Sequence, residues 1–271
     1  MPTKHVEPQN EDKMNDISPR AEVSPKAVIG DNCKIYPFVY IEDDVVIGDN
    51  CIIYPYVSIL NGTRMGSGNQ VFQYTALASL PQDYEFAGEE SLLTIGDNNI
   101  IRENVVINRA THADGKTVVG NNNVLMEGSH ISHDSTLGDC SVLGYSVKIA
   151  GNCTVGSHTI FSSGVIQHRG SNVGDAVMIQ SGTSFGRNVP PYVVVSPEGT
   201  YNGVNAVMCR KLGFSDKVIK HIANAYRLVF HSQTSLFDAI IQIREQVPDS
   251  EEIRSVIAFL ESSSKGLIGK Q

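Results

Sequence analysis

The reactive side chains of this chain concentrate in one stretch, Gly128-Ser129-His130-Ile131-Ser132-His133-Asp134. An imidazole takes up a proton near neutral pH, and a carboxylate beside it can fix which ring nitrogen carries the hydrogen. Two histidines three residues apart next to an aspartate admit three readings. They could hold a metal, form a general base with its orienting acid, or be an ordinary polar turn. The chain has no His-x4-His pair and no Cys-x2-Cys motif, so no metal is expected. The other two readings stay open on spacing alone. Of the remaining histidines, His5 lies in a polar tail, and His221 and His231 lie in or beside an expected helix.

The element that must position this cluster is written as a period of six. Aliphatic residues recur at Ile17, Val23, Ile29, Ile35, Ile41, Ile47, Ile53, Ile59, Met65, Val71 and Leu77. They return at Ile95, Ile101 and Ile107, then from Val119 to Phe161, skip at Gln167, and end at Val173, Ile179 and Phe185. Glycine often follows the aliphatic, and a small or β-branched residue often sits four positions after it. This is the hexapeptide repeat of a parallel β-helix, with one short strand per hexapeptide and three per coil. Residues 18 apart then stack at about 4.8 Å. Residues 17–190 hold 29 hexapeptides, between nine and ten coils, in a prism on the order of 45 Å long.

The repeat lapses twice, over 78–94 and 109–118, and resumes in register both times. Polar loops on a rigid scaffold are where function concentrates, and both are candidates. After Pro190-Pro191 the period becomes helical. Ser215 is expected to cap a helix with Val218, Ile222, Tyr226 and Val229 inward, and Ser235 a second with Leu236, Ala239, Ile240 and Ile243 inward. Asp249 with Glu252 is read as the start of a third. The expected organisation is a polar extension over 1–13, disordered or a tag, a β-helix over 14–191, and a helical domain over 192–271 that covers one end of the coil.

A formal charge of −8 argues against nucleic-acid binding. No 18-residue apolar run and no secretory leader are visible, and the five cysteines sit mostly in repeat positions, as reduced core residues. A cytoplasmic protein is expected.

Several stretches carry a family resemblance: IGDNNIIRENVVINRAT (95–111), NNNVLMEGSHISHDSTLGD (121–139), FQYTALASLPQDYEFAGEE (72–90), VPPYVVV (189–195) and NGVNAVMCRKLGFS (202–215). Together they resemble the UDP-N-acetylglucosamine 3-O-acyltransferases, and the similarity runs from about Met14 to Ile268. The resemblance implies a left-handed parallel β-helix with a C-terminal α-helical domain, mainly β, assembled as a homotrimer with sites between subunits. It implies transfer of a 3-hydroxyacyl chain from acyl carrier protein to the 3-hydroxyl of UDP-N-acetylglucosamine, the step that opens lipid A synthesis, without a cofactor.

Residue by residue, His133 matches the family's catalytic base, Asp134 its acidic partner and Gly151 the amide that stabilises the oxyanion. Gln82 and Asp83 match nucleotide-sugar contacts, and His130, His168 and Asn205 match other site positions. Ser181 matches the residue that limits acyl length. The chain departs from the pattern at Asn152 (usually histidine), Glu85 (lysine), Val207 (glutamate), and Lys211-Leu212 (an arginine pair). Arg169 stands where glutamine is usual and is read, with Lys211, as a substrate-binding cation. Arg210, Lys211, Lys217 and Lys220 are a candidate docking patch for the acidic carrier, and Val105 and Val147 are read as outward residues at the subunit interface. Two rival readings are a related hexapeptide N-acyltransferase of the same pathway and a non-catalytic solenoid. The first normally carries an N-terminal nucleotide-binding domain, whereas here the repeat begins by Ile17. The second leaves the His-Asp cluster unexplained.

Overall fold

The computed structural model describes residues 14–231 and 234–270; the tail over 1–13 lies outside them. Short strands, mostly two residues long, wind into a left-handed parallel β-helix with three flat faces. One face begins with Asp16–Ile17, the second with Glu22–Val23 and the third with Val28–Ile29, and each strand hydrogen-bonds to the one 18 residues on. The parallel strands number ten, nine and eight on the three faces, or nine turns. The count falls at the lower end of the sequence expectation because two loops leave the coil. Across the first lapse the stacked partners are 30 residues apart, as in Gln70 with Ile100. Across the second they are 24 apart, as in Ile107 with Ile131.

The repeat folds this way because each hexapeptide offers two residues for the interior. The periodic aliphatic fills the centre of the prism: Ile35, Ile53, Val71, Ile101, Leu125, Leu143 and Ile179 are all buried. The residue four positions on lines a corner, where Cys33, Val39, Cys51, Val57, Val105, Val147 and Cys153 are buried too. Val105 and Val147 therefore point inward, contrary to the expectation that they face a partner. Outward aliphatics are densest on the first face, just before the inward residue: Ile52, Ile100, Val124, Val142, Ile160, Met178 and Val194, all partly or fully exposed, with Gln70 between the first two. Gln167 takes an inward position and donates from Nε2 to Ser171 O at 2.8 Å.

The two ends of the prism differ. At the start, Ile17 is exposed and Val23 and Ile29 are only half-buried. At the far end the last parallel strand, Val193–Val195, turns into an antiparallel strand, Thr200–Val204, and then into helices. These are α1 (Ala206–Lys211), α2 (Asp216–Phe230), α3 (Leu236–Gln246) and α4 (Glu251–Ser262). Ser215 and Ser235 cap α2 and α3 through their side chains, as expected. The cap of α4 is Ser250, one residue later than the sequence suggested. Tyr226 of α2 is fully buried and donates its hydroxyl to Pro191 O at 2.6 Å, which fastens the helices to the coil. The tail returns to the coil as Ile268 N–H bonds Asn188 O and Gly269–Lys270 pairs with Thr200–Tyr201. No helix among the described residues is long and apolar enough to cross a membrane.

Candidate active site

One corner of the prism carries the site. The second face passes through Leu77, Ile107, Ile131, Ile149 and Gln167 in five successive turns. Just after these residues come the first loop, the second loop, then Ser132-His133-Asp134, Ala150-Gly151-Asn152 and His168-Arg169-Gly170. Both loops thus leave the coil at the corner that presents His133, in the two turns before it. His133, Gly151 and Arg169 occupy the same place in three consecutive turns. The third residue of each corner is left-handed: Asp134 has φ 58°, Asn152 59° and Gly170 70°. Asparagine, aspartate and glycine are the residues that tolerate this turn.

The His133 ring is 5 % exposed and held from three sides. Its Nδ1 lies 2.8 Å from Asp134 Oδ2 and 2.8 Å from Thr111 Oγ1. Asp134 is itself fixed, since its carboxylate accepts from the Thr111 amide at 3.2 Å and its own amide donates to Thr117 Oγ1 at 2.9 Å. A carboxylate anchored by backbone and hydroxyl groups orients the ring and makes Nδ1 the hydrogen-bearing nitrogen, leaving Nε2 to act as base. Below the ring lies Gly151, whose missing side chain makes the space that the imidazole occupies.

Asp83, from the first loop, reaches the other side of the ring: its Oδ2 is 3.4 Å from His133 Nε2 and 3.1 Å from Arg169 Nη1. Its side chain is 2 % exposed. The Glu85 amide, and after it the charges of Arg169 and His133, hold the Asp83 carboxyl below the usual carboxylate range despite its burial. His130 faces outward on the strand before His133 and lies 3.2 Å from Ser132 Oγ. Burial, aided by Lys148 and His133, pushes its pKa down, which favours the neutral ring.

Other residues singled out from sequence sit elsewhere or do different work. Gln82 is exposed beside Asp83. His168 shares the His133 corner and lies 2.8 Å from Ser184 Oγ. Asn205 is buried: it caps α1 through Met208 N–H and donates to Ala176 O at 2.8 Å. Lys211 borders a cavity of about 280 Å³ lined by Ile160, Met178, Val194 and Asn205 on the first face. Ser181 is exposed at the corner between the first and second faces. One chain therefore does not bring Ser181, Asn205 and Lys211 to the His133 corner. Arg210, part of the expected basic patch, lies 3.1 Å from Asp216 in a solvent-exposed pair. Thr111 and Thr117 were missed from sequence. Their signal was position, since both lie in the second lapse, 109–118, which leaves the coil at the His133 corner.

Comparison with known proteins identifies the family. Residues 188–268 match the family model described as UDP N-acetylglucosamine O-acyltransferase, domain 2, and residues 26–61 match that of the bacterial transferase hexapeptide, six repeats. The acyl-[acyl-carrier-protein]--UDP-N-acetylglucosamine O-acyltransferase of Xanthomonas euvesicatoria is 38% identical over 93% of this chain and 97% of its own. The enzyme of the same name from Halorhodospira halophila is 35% identical over 94% of this chain and 100% of its own. Among solved structures, the UDP-N-acetylglucosamine acyltransferase of Bacteroides fragilis superposes with a TM-score of 0.91 at 45% identity, covering 93% of this chain and 99% of its own. That from Acinetobacter baumannii gives 0.90 at 32%, with coverage of 93% and 99%. Likeness of this extent, carried by coil and helices alike, establishes that the chain belongs to the acyl-[acyl-carrier-protein]--UDP-N-acetylglucosamine O-acyltransferase family.

Proposed function

We propose that the protein transfers a 3-hydroxyacyl chain from acyl carrier protein to the glucosamine 3-hydroxyl of UDP-N-acetylglucosamine, opening lipid A synthesis. The observation that carries the mechanism is the His133 ring, held through Nδ1 by Asp134 and Thr111 so that Nε2 faces outward from that anchorage. Nε2 takes the hydroxyl proton as the sugar oxygen attacks the thioester carbonyl. The tetrahedral oxyanion is stabilised by the Gly151 N–H. On collapse the carbon–sulfur bond breaks, and the imidazolium returns the proton to the carrier thiol. No acyl-enzyme forms. The test is transfer of labelled acyl from hydroxyacyl carrier protein to UDP-N-acetylglucosamine, with the linkage identified in the product. An amide product, or no transfer, would remove the reading.

We also propose a homotrimer. Two observations support it: an outward column from Ile52 to Val194 along one face, and the separation of Ser181, Asn205 and Lys211 from the His133 corner within one chain. Neighbouring chains would bring the two sets together. Three chains of 29.4 kDa give about 88 kDa by light scattering, and an active monomer would defeat the proposal. In this reading residues 14–191 carry the base, and the helical portion from 192 on closes one end and docks the carrier through Lys217 and Lys220. Composition, with four of the five free cysteines buried, favours a cytoplasmic setting.

A further inference from the structure

We infer that Arg169 is a positioning residue which draws Asp83 across Nε2 of His133, so that the free enzyme rests with its base capped. The inference concerns the same catalytic site and rests on the acyl-transfer reading only for its bearing on rate.

Three features carry it. First, the reach is long. The first loop leaves the coil in the turn of Leu77, and its Asp83 meets the ring of His133 from two turns further along and the long side chain of Arg169 from four turns further. Second, the loop is secured at its root without Arg169. Asn108 Nδ2 donates to Leu80 O at 2.8 Å, and Arg109 Nη2 donates to Glu89 O at 3.4 Å. The Arg109 guanidinium also lies 5.7 Å from the centre of the Phe86 ring. At the tip, Asp83 meets Arg169 and His133 with the same oxygen, while Oδ1 accepts from the Glu85 amide at 3.0 Å. Third, the tip contact conflicts with catalysis. With hydrogen on Nδ1, a neutral ring has its lone pair on Nε2, and a carboxylate facing that lone pair is repelled. The contact is favourable only when Nε2 also carries a proton, and such a ring cannot act as a base. The hydroxyl to be acylated must therefore displace Asp83. Arg169 gives the displaced carboxylate a partner, and its own carbonyl is held by Lys265 Nζ, which fixes it against the helical end.

This departs from a role for Arg169 as a direct nucleotide-binding cation. The test compares Arg169→Gln, Arg169→Lys and Asp83→Ala with the unaltered full chain. Hydrogen exchange over residues 80–91 and diethyl pyrocarbonate modification at His133, located by peptide mass, are read in the free protein. UDP and UDP-N-acetylglucosamine affinities are read by calorimetry. Arg169→Gln should raise loop exchange and His133 modification by roughly three- to tenfold, a modest figure because the guanidinium is half exposed. Arg169→Lys should restore most of the protection. Asp83→Ala, which leaves no group facing Nε2, should uncap His133 as Arg169→Gln does. In Arg169→Gln, UDP affinity should be unchanged and the nucleotide sugar should bind no more weakly, since a closed state that competes with it has been lost; Asp83→Ala is read only for His133 protection, because Asp83 also matches a sugar contact. Unchanged protection of His133 in both uncapping variants would overturn the inference, as would weaker UDP binding in Arg169→Gln. The free-protein readouts do not depend on the acyl-transfer assignment, so the two fail separately.

Discussion

A β-carbon on Gly151 would lie 2.5 Å from both Cε1 and Nε2 of His133, one turn away. Two carbons cannot approach so closely, so the presence of the ring and the absence of a side chain beneath it are one arrangement. Gly151→Ala must push the imidazole off its position while Asp134 and Thr111 pull it back. Misplacement by about 1 Å can cost on the order of 10²-fold in rate. We expect a loss of that size, with the coil still folded by circular dichroism; near-normal activity would show that the ring has other room.

His133→Ala should lower the rate by at least about 10²- to 10⁴-fold, the usual worth of a general base, with folding and assembly preserved. Asp134→Asn should cost less, because it orients rather than transfers the proton. Thr111→Val removes a neutral hydrogen bond worth about 1 kcal/mol and should slow the reaction roughly fivefold. Single-turnover rates would order the three, and equal losses for His133→Ala and Thr111→Val would undo the assignment.

The Asp83 carboxyl is held below its ordinary range, chiefly by the Glu85 amide and then by Arg169 and His133. A depressed folded-state pKa contributes stability that is present above the unfolded value of about 3.9 and lost as pH falls through the folded value. The Asp83–Arg169 pair should therefore persist at mildly acid pH and break only below the normal carboxylate range. Loop exchange, corrected for its intrinsic pH dependence, would reveal earlier loss of this pair.

Lys217 and Lys220 are exposed cations at the start of α2, where they can meet the acidic carrier. Reversing both to glutamate should raise KM for acyl carrier protein and flatten its salt dependence, leaving KM for the nucleotide sugar alone. Equal effects on both substrates would count against docking there.

Ser181 is small and exposed, so a fairly long hydroxyacyl chain should be accepted. Ser181→Met should move the optimum to a shorter donor, each methylene being worth about 1–3 kcal/mol. An unaltered donor profile would locate the ruler elsewhere.

The coil was legible because its rule is local: one aliphatic every six residues needs no distant information. The His133–Asp134 contact was legible for the same reason, the two being adjacent. What escaped depends on stacking or on short length. Val105 and Val147 occupy the second inward position, which an aliphatic period alone does not separate from an outward one. Helix α1 is six residues long, too short to show a helical period. Thr111 and Arg169 reach the catalytic cluster only because turns stack, which brings residues far apart in the chain side by side.

The unequal ends of the prism give it a direction. Among the described residues, its first strands, at Ile17, Val23 and Ile29, have a strand neighbour on one side only, whereas the last are stitched down by Tyr226, α2 and the returning tail. In a stack of turns whose backbones pair only with the turns beside them, opening starts where a turn has one neighbour and proceeds inward like a zipper. Thermal fraying and proteolytic nicking should therefore begin near Ile17 and consume several turns before reaching His133. The turns ahead of the catalytic corner act as a sacrificial margin, and their number sets how much of the chain can be lost before chemistry fails.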